Sequence, residues 1–169
     1  MKQAFEDLYQ NHLWKKETLL AGSIQQVHQD LSILSQHFPL ALVTGRPRKD
    51  LQRFLQHFEL ASFFTVSVCM EDAEAKPSPD PIKLALEKLS TTLTKNIKAA
   101  WMIGDTPDDI LAAQRCRMQY KDLLLPLAIE TSHQSTIDAL QKAGCARMIT
   151  SWRTCLDLLS LSDQRNTHV

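Results

Sequence analysis

Two aspartates four residues apart give this sequence its first chemical signal. In Trp101-Met102-Ile103-Gly104-Asp105-Thr106-Pro107-Asp108-Asp109-Ile110, an apolar run from Ala99 to Ile103 meets a glycine, then a proline and an acidic cluster. A short, continuous apolar run suits a strand covered on both faces of a parallel sheet. Gly104 permits a sharp exit, and Pro107 suits the first turn of a helix, where its missing N–H is no loss. Asp105 then lies at the carboxyl end of a strand and Asp109 in the first turn of the next helix. Both would face the crevice where open α/β sheets bind ligands. Two carboxylates there form part of a shell for a hard cation such as Mg²⁺, which keeps several waters and takes phosphate oxygens from a substrate. The same residues would equally serve to cap the helix and favour its dipole.

Two further stretches fall at matching places. The apolar run Leu40 to Thr44 reads as a buried strand ending in Thr44-Gly45-Arg46. The run Thr65 to Met70, rich in β-branched residues, reads as another strand. It is followed by an acidic loop, Glu71 to Glu74, and by Lys76-Pro77-Ser78-Pro79-Asp80-Pro81, whose prolines predict irregular structure. In a parallel sheet all carboxyl ends lie on one edge, so Thr44, Lys76 and the Asp105/Asp109 pair converge. A threonine hydroxyl and the Gly45 N–H can donate to phosphoryl oxygens, a lysine neutralises charge, and carboxylates hold a bridging metal. Taken singly, Thr44 is an ordinary strand residue, and Lys76 and the Asp72/Glu74 turn are ordinary solvated charges. Arg46 either faces a substrate or pairs with Asp50 along the helix.

The elements that would position these groups alternate along the chain. An amphipathic helix spans residues 4–13, and a second starts at Ser23 as N-cap and ends before Pro39. Helices follow each strand, at 47–58, 82–89, 108–117, 134–143 and 152–161. Residues 90–98 read as a polar connection. Further strands are expected at 123–129 and 146–150, and Gly144 ends the helix before the last of them. This alternation predicts an α/β, doubly wound (Rossmann-like) parallel sheet with helices on both faces.

Composition excludes several function classes. The 169 residues are 44% hydrophobic and 22% charged, with Lys+Arg and Asp+Glu both 19. That neutrality leaves no basic footprint for nucleic acid. No run reaches membrane-spanning length, and Met1-Lys2-Gln3 does not open a signal peptide. The four cysteines, Cys69, Cys116, Cys145 and Cys155, lack metal spacing and read as reduced structural thiols of a cytoplasmic protein. The six histidines are scattered, with no ligand spacing, and read as structural or surface residues.

Taken together, Leu42-Val43-Thr44-Gly45-Arg46, Lys76-Pro77-x-Pro-x-Pro and Ile103-Gly104-Asp105-Thr106-Pro107-Asp108-Asp109 resemble motifs two, three and four of the haloacid dehalogenase superfamily. The resemblance runs over about residues 23–160 and is greatest to the phosphoglycolate-phosphatase-like branch, which carries a small helical cap. It implies Mg²⁺-dependent hydrolysis of a small phosphorylated metabolite, a phosphate monoester, through an aspartyl-phosphate. By that resemblance Thr44 and Lys76 are the catalytic residues and bind the phosphoryl group with Gly45 and Arg46. Asp105 and Asp109 hold Mg²⁺. The family's first motif, Asp-x-Asp-x-Thr on the central strand, has no counterpart ahead of Thr44, where the only aspartates are Asp7 and Asp30 in helical patterns. The expected organisation is a cap remnant at 1–21, the superfamily core at 22–161 lacking its first strand, and a flexible tail at 162–169. Such a truncated chain would be inactive alone, and its unpaired sheet edges would favour a homodimer or strand exchange. The alternative is a non-catalytic phosphate- or Mg²⁺-binding module, or a protein-interaction module.

Overall fold

A computed structural model describes residues 24–119, 124–129 and 133–161. Its elements run α1 (Ile24–His37), β1 (Leu40–Val43), α2 (Arg48–His57), β2 (Phe64–Val68), α3 (Asp80–Leu93), β3 (Ala100–Gly104), α4 (Pro107–Gln119), β4 (Leu124–Ile129), α5 (Gln134–Lys142), β5 (Arg147–Ile149) and α6 (Trp152–Leu158). A 3-10 turn, Ala61–Phe63, leads into β2. The expected cap remnant, the Ser23 N-cap and the tail lie outside the described residues.

Every strand pairing is parallel, as the alternation requires. Among the described residues the strands form two sheets, β1-β2 and β3-β4-β5, and β1 shares no hydrogen bond with β3. Val43 lies opposite Val68 in the first sheet, and Gly104 opposite Ala128 in the second. Neighbouring strands therefore finish level, which brings their following loops together at the carboxyl edge.

Helices cover both faces. On one side Val27, Leu31 and Leu34 of α1, Leu51 and Leu55 of α2 and Leu156 of α6 enclose Leu40, Leu42 and Phe64. On the other, Ile82 of α3 and Ala112, Ala113 and Cys116 of α4 pack on Ala100, Met102 and Leu124. Behind the carboxyl edge, Ile110, Ala128 and Leu140 form a third cluster. The small residues of α4 let that helix lie close to the sheet, and burying this apolar area drives the assembly. β4, the one inner strand of the described sheets, is well covered, with Leu127 1% and Ala128 0% exposed, whereas all four residues of β1 are only half-buried and Trp101 on β3 is 37% exposed. Among the described residues, β1 and β3 each have an unpaired edge.

Several boundaries differ from expectation, three of them for a clear local reason. Asp80 and Pro81 belong to α3, because proline fits the first helical turn. That helix also runs to Leu93 through the supposed polar connection. Ile82, Ala85, Leu89 and Leu93 keep helical spacing while Thr91 and Thr92 face water, and Thr94 ends the helix at φ 51. β2 stops at Val68 rather than Met70, since the Met70 N–H turns to donate to the carbonyl of Arg46. The predicted stop at Gly144 is found, at φ 89, where glycine avoids the strain that a Cβ would bring.

Candidate functional site

Thr44 follows β1 directly. Its N–H donates to the carbonyl of Val68 at 2.9 Å, the last rung joining the two strands. Its hydroxyl oxygen accepts the Arg46 N–H at 3.2 Å, which leaves the hydroxyl proton to donate elsewhere. Gly45 is exposed, and a Cβ placed there would meet nothing within 4 Å. No packing constraint within the described residues requires that glycine. The Arg46 guanidinium lies over the Phe54 ring of α2, 5.2 Å from its centre, a cation–π contact.

Lys76 comes from the loop between β2 and α3, and it ties the two sheets together. Its ammonium donates to Asp109 Oδ1 at 2.5 Å and to the carbonyl of Val43, the last residue of β1, at 3.4 Å. Arg115 of α4 steadies the same loop by donating to the Pro77 carbonyl at 2.9 Å.

Asp109 and Asp105 occupy unlike environments. Asp109 is 4% exposed, and its Oδ2 accepts from both the backbone N–H (3.1 Å) and the hydroxyl (2.7 Å) of Thr106. Gly104 makes room for it: a Cβ there would fall 2.3 Å from Asp109 Cβ and 2.7 Å from its Oδ2. Gly104 is therefore needed for close approach between the end of β3 and the first turn of α4. Asp105 is exposed and makes no side-chain hydrogen bond or ion pair among the described residues. Among those residues, no group of three or more His, Cys, Asp or Glu side chains is arranged to enclose a metal. Asp105 and its neighbour Asp108 are both exposed carboxylates at this edge, and a hard cation needs only one or two protein carboxylates beside phosphate and water.

The loops after β1 and β2 are bound together by Glu71 and Asp72 of the acidic loop, of which Asp72 reads from sequence as a solvated charge. Glu71 accepts the Arg48 N–H with both carboxylate oxygens, at 2.9 and 3.1 Å, and so caps α2, whose N-cap residue Pro47 has no side chain to do it. Asp72 accepts from Arg48 Nη2 with both oxygens, at 2.5 and 2.6 Å, and from the Cys69 N–H at 2.8 Å. The Cys69 N–H above all, with Arg48 adding to it, holds the Asp72 carboxyl below the usual range. The one available signal was the missing polar N-cap at Pro47, which requires an acceptor from elsewhere.

Thus Thr44, Gly45, Lys76, Asp105 and Asp109 gather at one carboxyl edge, Lys76 and Asp109 in direct contact, while Arg46 lies over Phe54. His28 and His37 bond to the carbonyls of Phe58 and Ile33, structural roles as expected. All four cysteines are free thiols.

Comparison with known proteins gives this edge a family. The family model described as haloacid dehalogenase-like hydrolase matches residues 1–121. The chain is 38% identical over 158 residues to a Phytophthora nicotianae protein named imidazoleglycerol-phosphate dehydratase, covering 86% of this chain and 33% of that protein. It is 34% identical over 123 residues to the phosphoglycolate phosphatase of Vibrio vulnificus, covering 67% of this chain and 47% of the relative. The chain thus spans a third to a half of the length of these curated relatives. Among solved structures, a putative beta-phosphoglucomutase from Thermotoga maritima superimposes with a TM-score of 0.64 at 22% identity, over 79% of this chain and 58% of that one, a likeness of fold. No helix of the described residues is long and apolar enough to cross a membrane. The chain belongs to the haloacid dehalogenase-like hydrolases, in their phosphoglycolate-phosphatase-like branch.

Proposed function

We propose that this chain supplies the phosphate- and metal-facing half of a Mg²⁺-dependent phosphatase that hydrolyses a small phosphate monoester. The observation that carries this reading is Lys76, an ammonium held between the ends of two parallel sheets by Val43 and Asp109. The Thr44 hydroxyl and Gly45 N–H donate to the phosphoryl oxygens, Lys76 neutralises their charge, and Asp105 offers the metal ligand. Asp109, expected to share the metal, has both oxygens engaged by Lys76 and Thr106, so we assign it to holding Lys76. A bound Mg²⁺ would supply charge neutralisation on the phosphoryl oxygens.

The reaction needs a nucleophile, and the family's Asp-x-Asp-x-Thr motif has no counterpart among the described residues. The unpaired edges of β1 and β3 indicate where it would come from. A single parallel strand inserted between them would satisfy both rows of backbone donors and acceptors, whereas edge-to-edge pairing of two copies would satisfy one row in each. Residues 1–169 alone would then bind the ligands and not turn over, in a cytoplasmic setting.

The test is thermal unfolding with Mg²⁺ and inorganic phosphate, since a ligand that binds only the folded state must raise its stability. Both ligands should raise the melting temperature, and Asp105→Asn should remove the Mg²⁺-dependent part while leaving ligand-free stability within about 0.5 kcal/mol. No shift with either ligand would favour the alternative, an interaction module. Mg²⁺-dependent turnover by residues 1–169 that Asp105→Asn abolishes would overturn the claim of inactivity.

A further inference from the structure

We infer that Arg48, Glu71 and Asp72 are positioning residues that lock the loop carrying Thr44 to the loop carrying Lys76, and so set the width of the phosphate site. The inference rests on the phosphate-binding reading above and adds to it three residues that touch no ligand. Beyond the bond from Thr44 to Val68, the β1-β2 pairing ends and each strand runs into a loop. Past that point the loops are joined by the Met70 N–H on the Arg46 carbonyl, by Glu71 on the Arg48 N–H, and by Arg48 Nη2, which donates to both Asp72 oxygens. Asp72 also accepts the Cys69 N–H and donates its own N–H back to the Cys69 carbonyl, which folds its loop into a fixed turn. Lys76 stands four residues further on.

These contacts are poorly placed to be stability devices. Arg48 and Asp72 side chains are 45% and 19% exposed, and ion pairs so near water contribute little to folding. What they do is geometric: one guanidinium nitrogen held by both carboxylate oxygens, with the Glu71 carboxylate on the backbone N–H of the same residue, fixes the distance between the partners. Here the partners belong to the two loops that bear the proposed phosphoryl donors.

Charge supplies a test that a bystander role cannot pass. Glu71→Gln and Asp72→Asn each remove a negative charge near an anion site, so simple electrostatics predicts tighter phosphate binding. Loss of positioning predicts the opposite. Inorganic phosphate is titrated calorimetrically into the full protein and into Glu71→Gln, Asp72→Asn, Arg48→Lys and Lys76→Ala. Glu74→Gln, an exposed carboxylate of the same loop, serves as control. Melting temperatures are recorded alongside. We expect Glu71→Gln, Asp72→Asn and Arg48→Lys to weaken binding roughly three- to tenfold. Lys76→Ala should weaken it further, and Glu74→Gln, which removes a charge but no latch contact, should not weaken it, with all variants folded. Arg48→Lys keeps the charge but loses the reach and planar shape of the guanidinium, so it reports on geometry if either carboxylate variant unfolds. Unchanged or tighter binding in the latch variants, with Lys76→Ala still weakened, overturns the positioning role alone. Phosphate affinity indifferent to Lys76→Ala overturns both this inference and the reading beneath it.

Discussion

Asp109→Asn tests whether the two sheets are held together at the carboxyl edge by one ion pair. The substitution keeps size and shape but replaces a charged acceptor oxygen with an NH₂ donor. In one orientation that donor faces the Lys76 ammonium, leaving it only the longer contact to Val43 at 3.4 Å. In the other it faces the Thr106 N–H, which loses its acceptor, while the Thr106 hydroxyl can turn to accept. The second orientation is cheaper. It still removes the charge from a contact whose partners are 19% and 6% exposed, and it strands one backbone donor. A hydrogen bond to a charged group is worth about 1.5–3 kcal/mol, and a buried group left unsatisfied costs about 1–3 kcal/mol. Solvent access to Lys76 places the sum near about 3 kcal/mol. For a chain of this size that lowers the melting temperature by roughly 6–12 °C. Urea unfolding at neutral pH would measure it, with Lys76→Met and the double variant completing a cycle. The pair should show a coupling of about 1–3 kcal/mol, so that the double variant costs clearly less than the two singles added. A loss below about 1 kcal/mol for Asp109→Asn, or strict additivity, would refute the argument that this pair ties the sheets.

Two other substitutions probe separate points. Asp30 in α1 is 1% exposed, and burial raises its carboxyl pKa, only partly offset by the bond from Gln26 and the nearby Arg153. An acid whose folded pKa is raised contributes fully below its unfolded pKa, about 3.9, and that contribution is lost as pH rises through the folded value. Asp30→Asn, which keeps an oxygen for Gln26, should therefore stabilise the protein at pH 7, with the gain fading below about pH 4. Destabilisation at pH 7 in a pH series of melts would mean that attraction to Arg153 outweighs desolvation. Gly45→Ala places a methyl in open space, so stability should stay within about 0.5 kcal/mol. Phosphate affinity should fall several-fold if the phosphoryl group occupies that space, and unchanged affinity would locate it elsewhere.

The fold was legible because its signals are local. Apolar runs of strand length alternate with helical spacing, and Gly104 and Gly144 mark a strand end and a helix end that the structure shows. The positions of Thr44, Lys76 and Asp105 follow from strand ends in a parallel sheet. What was not legible depends on contacts between residues far apart in the chain. Lys76 and Asp109 are 33 residues apart, and nothing in the spacing of Asp105 and Asp109 says that one is exposed and the other buried. Arg46 lies over the Phe54 ring, eight residues further on, a contact that the reading of its neighbourhood did not include. Glu71 and Asp72 look like a solvated turn until Pro47 is seen to leave α2 without a side-chain cap. Asp30 sits in a helical pattern with no sign that its face is covered by α6, since that packing joins residues more than a hundred positions apart.

The environment of Lys76 explains why Asp109 matters beyond stability. An ammonium has three protons to donate. One goes to Asp109 and one to Val43, so a phosphate oxygen would meet a single remaining N–H whose direction the other two fix. A freely rotating surface lysine must be ordered when a ligand binds, at a cost of about 0.5–1.5 kcal/mol for a long side chain. Lys76 has met that cost in folding, with Gly104 and Thr106 holding Asp109 and Asp109 holding the lysine. The same arrangement partly neutralises its charge, so its advantage at an anion site lies in orientation more than in long-range attraction. Phosphate binding here should accordingly depend less steeply on salt than it would at a free lysine, because screening acts on distant charges and leaves a fixed contact hydrogen bond largely intact.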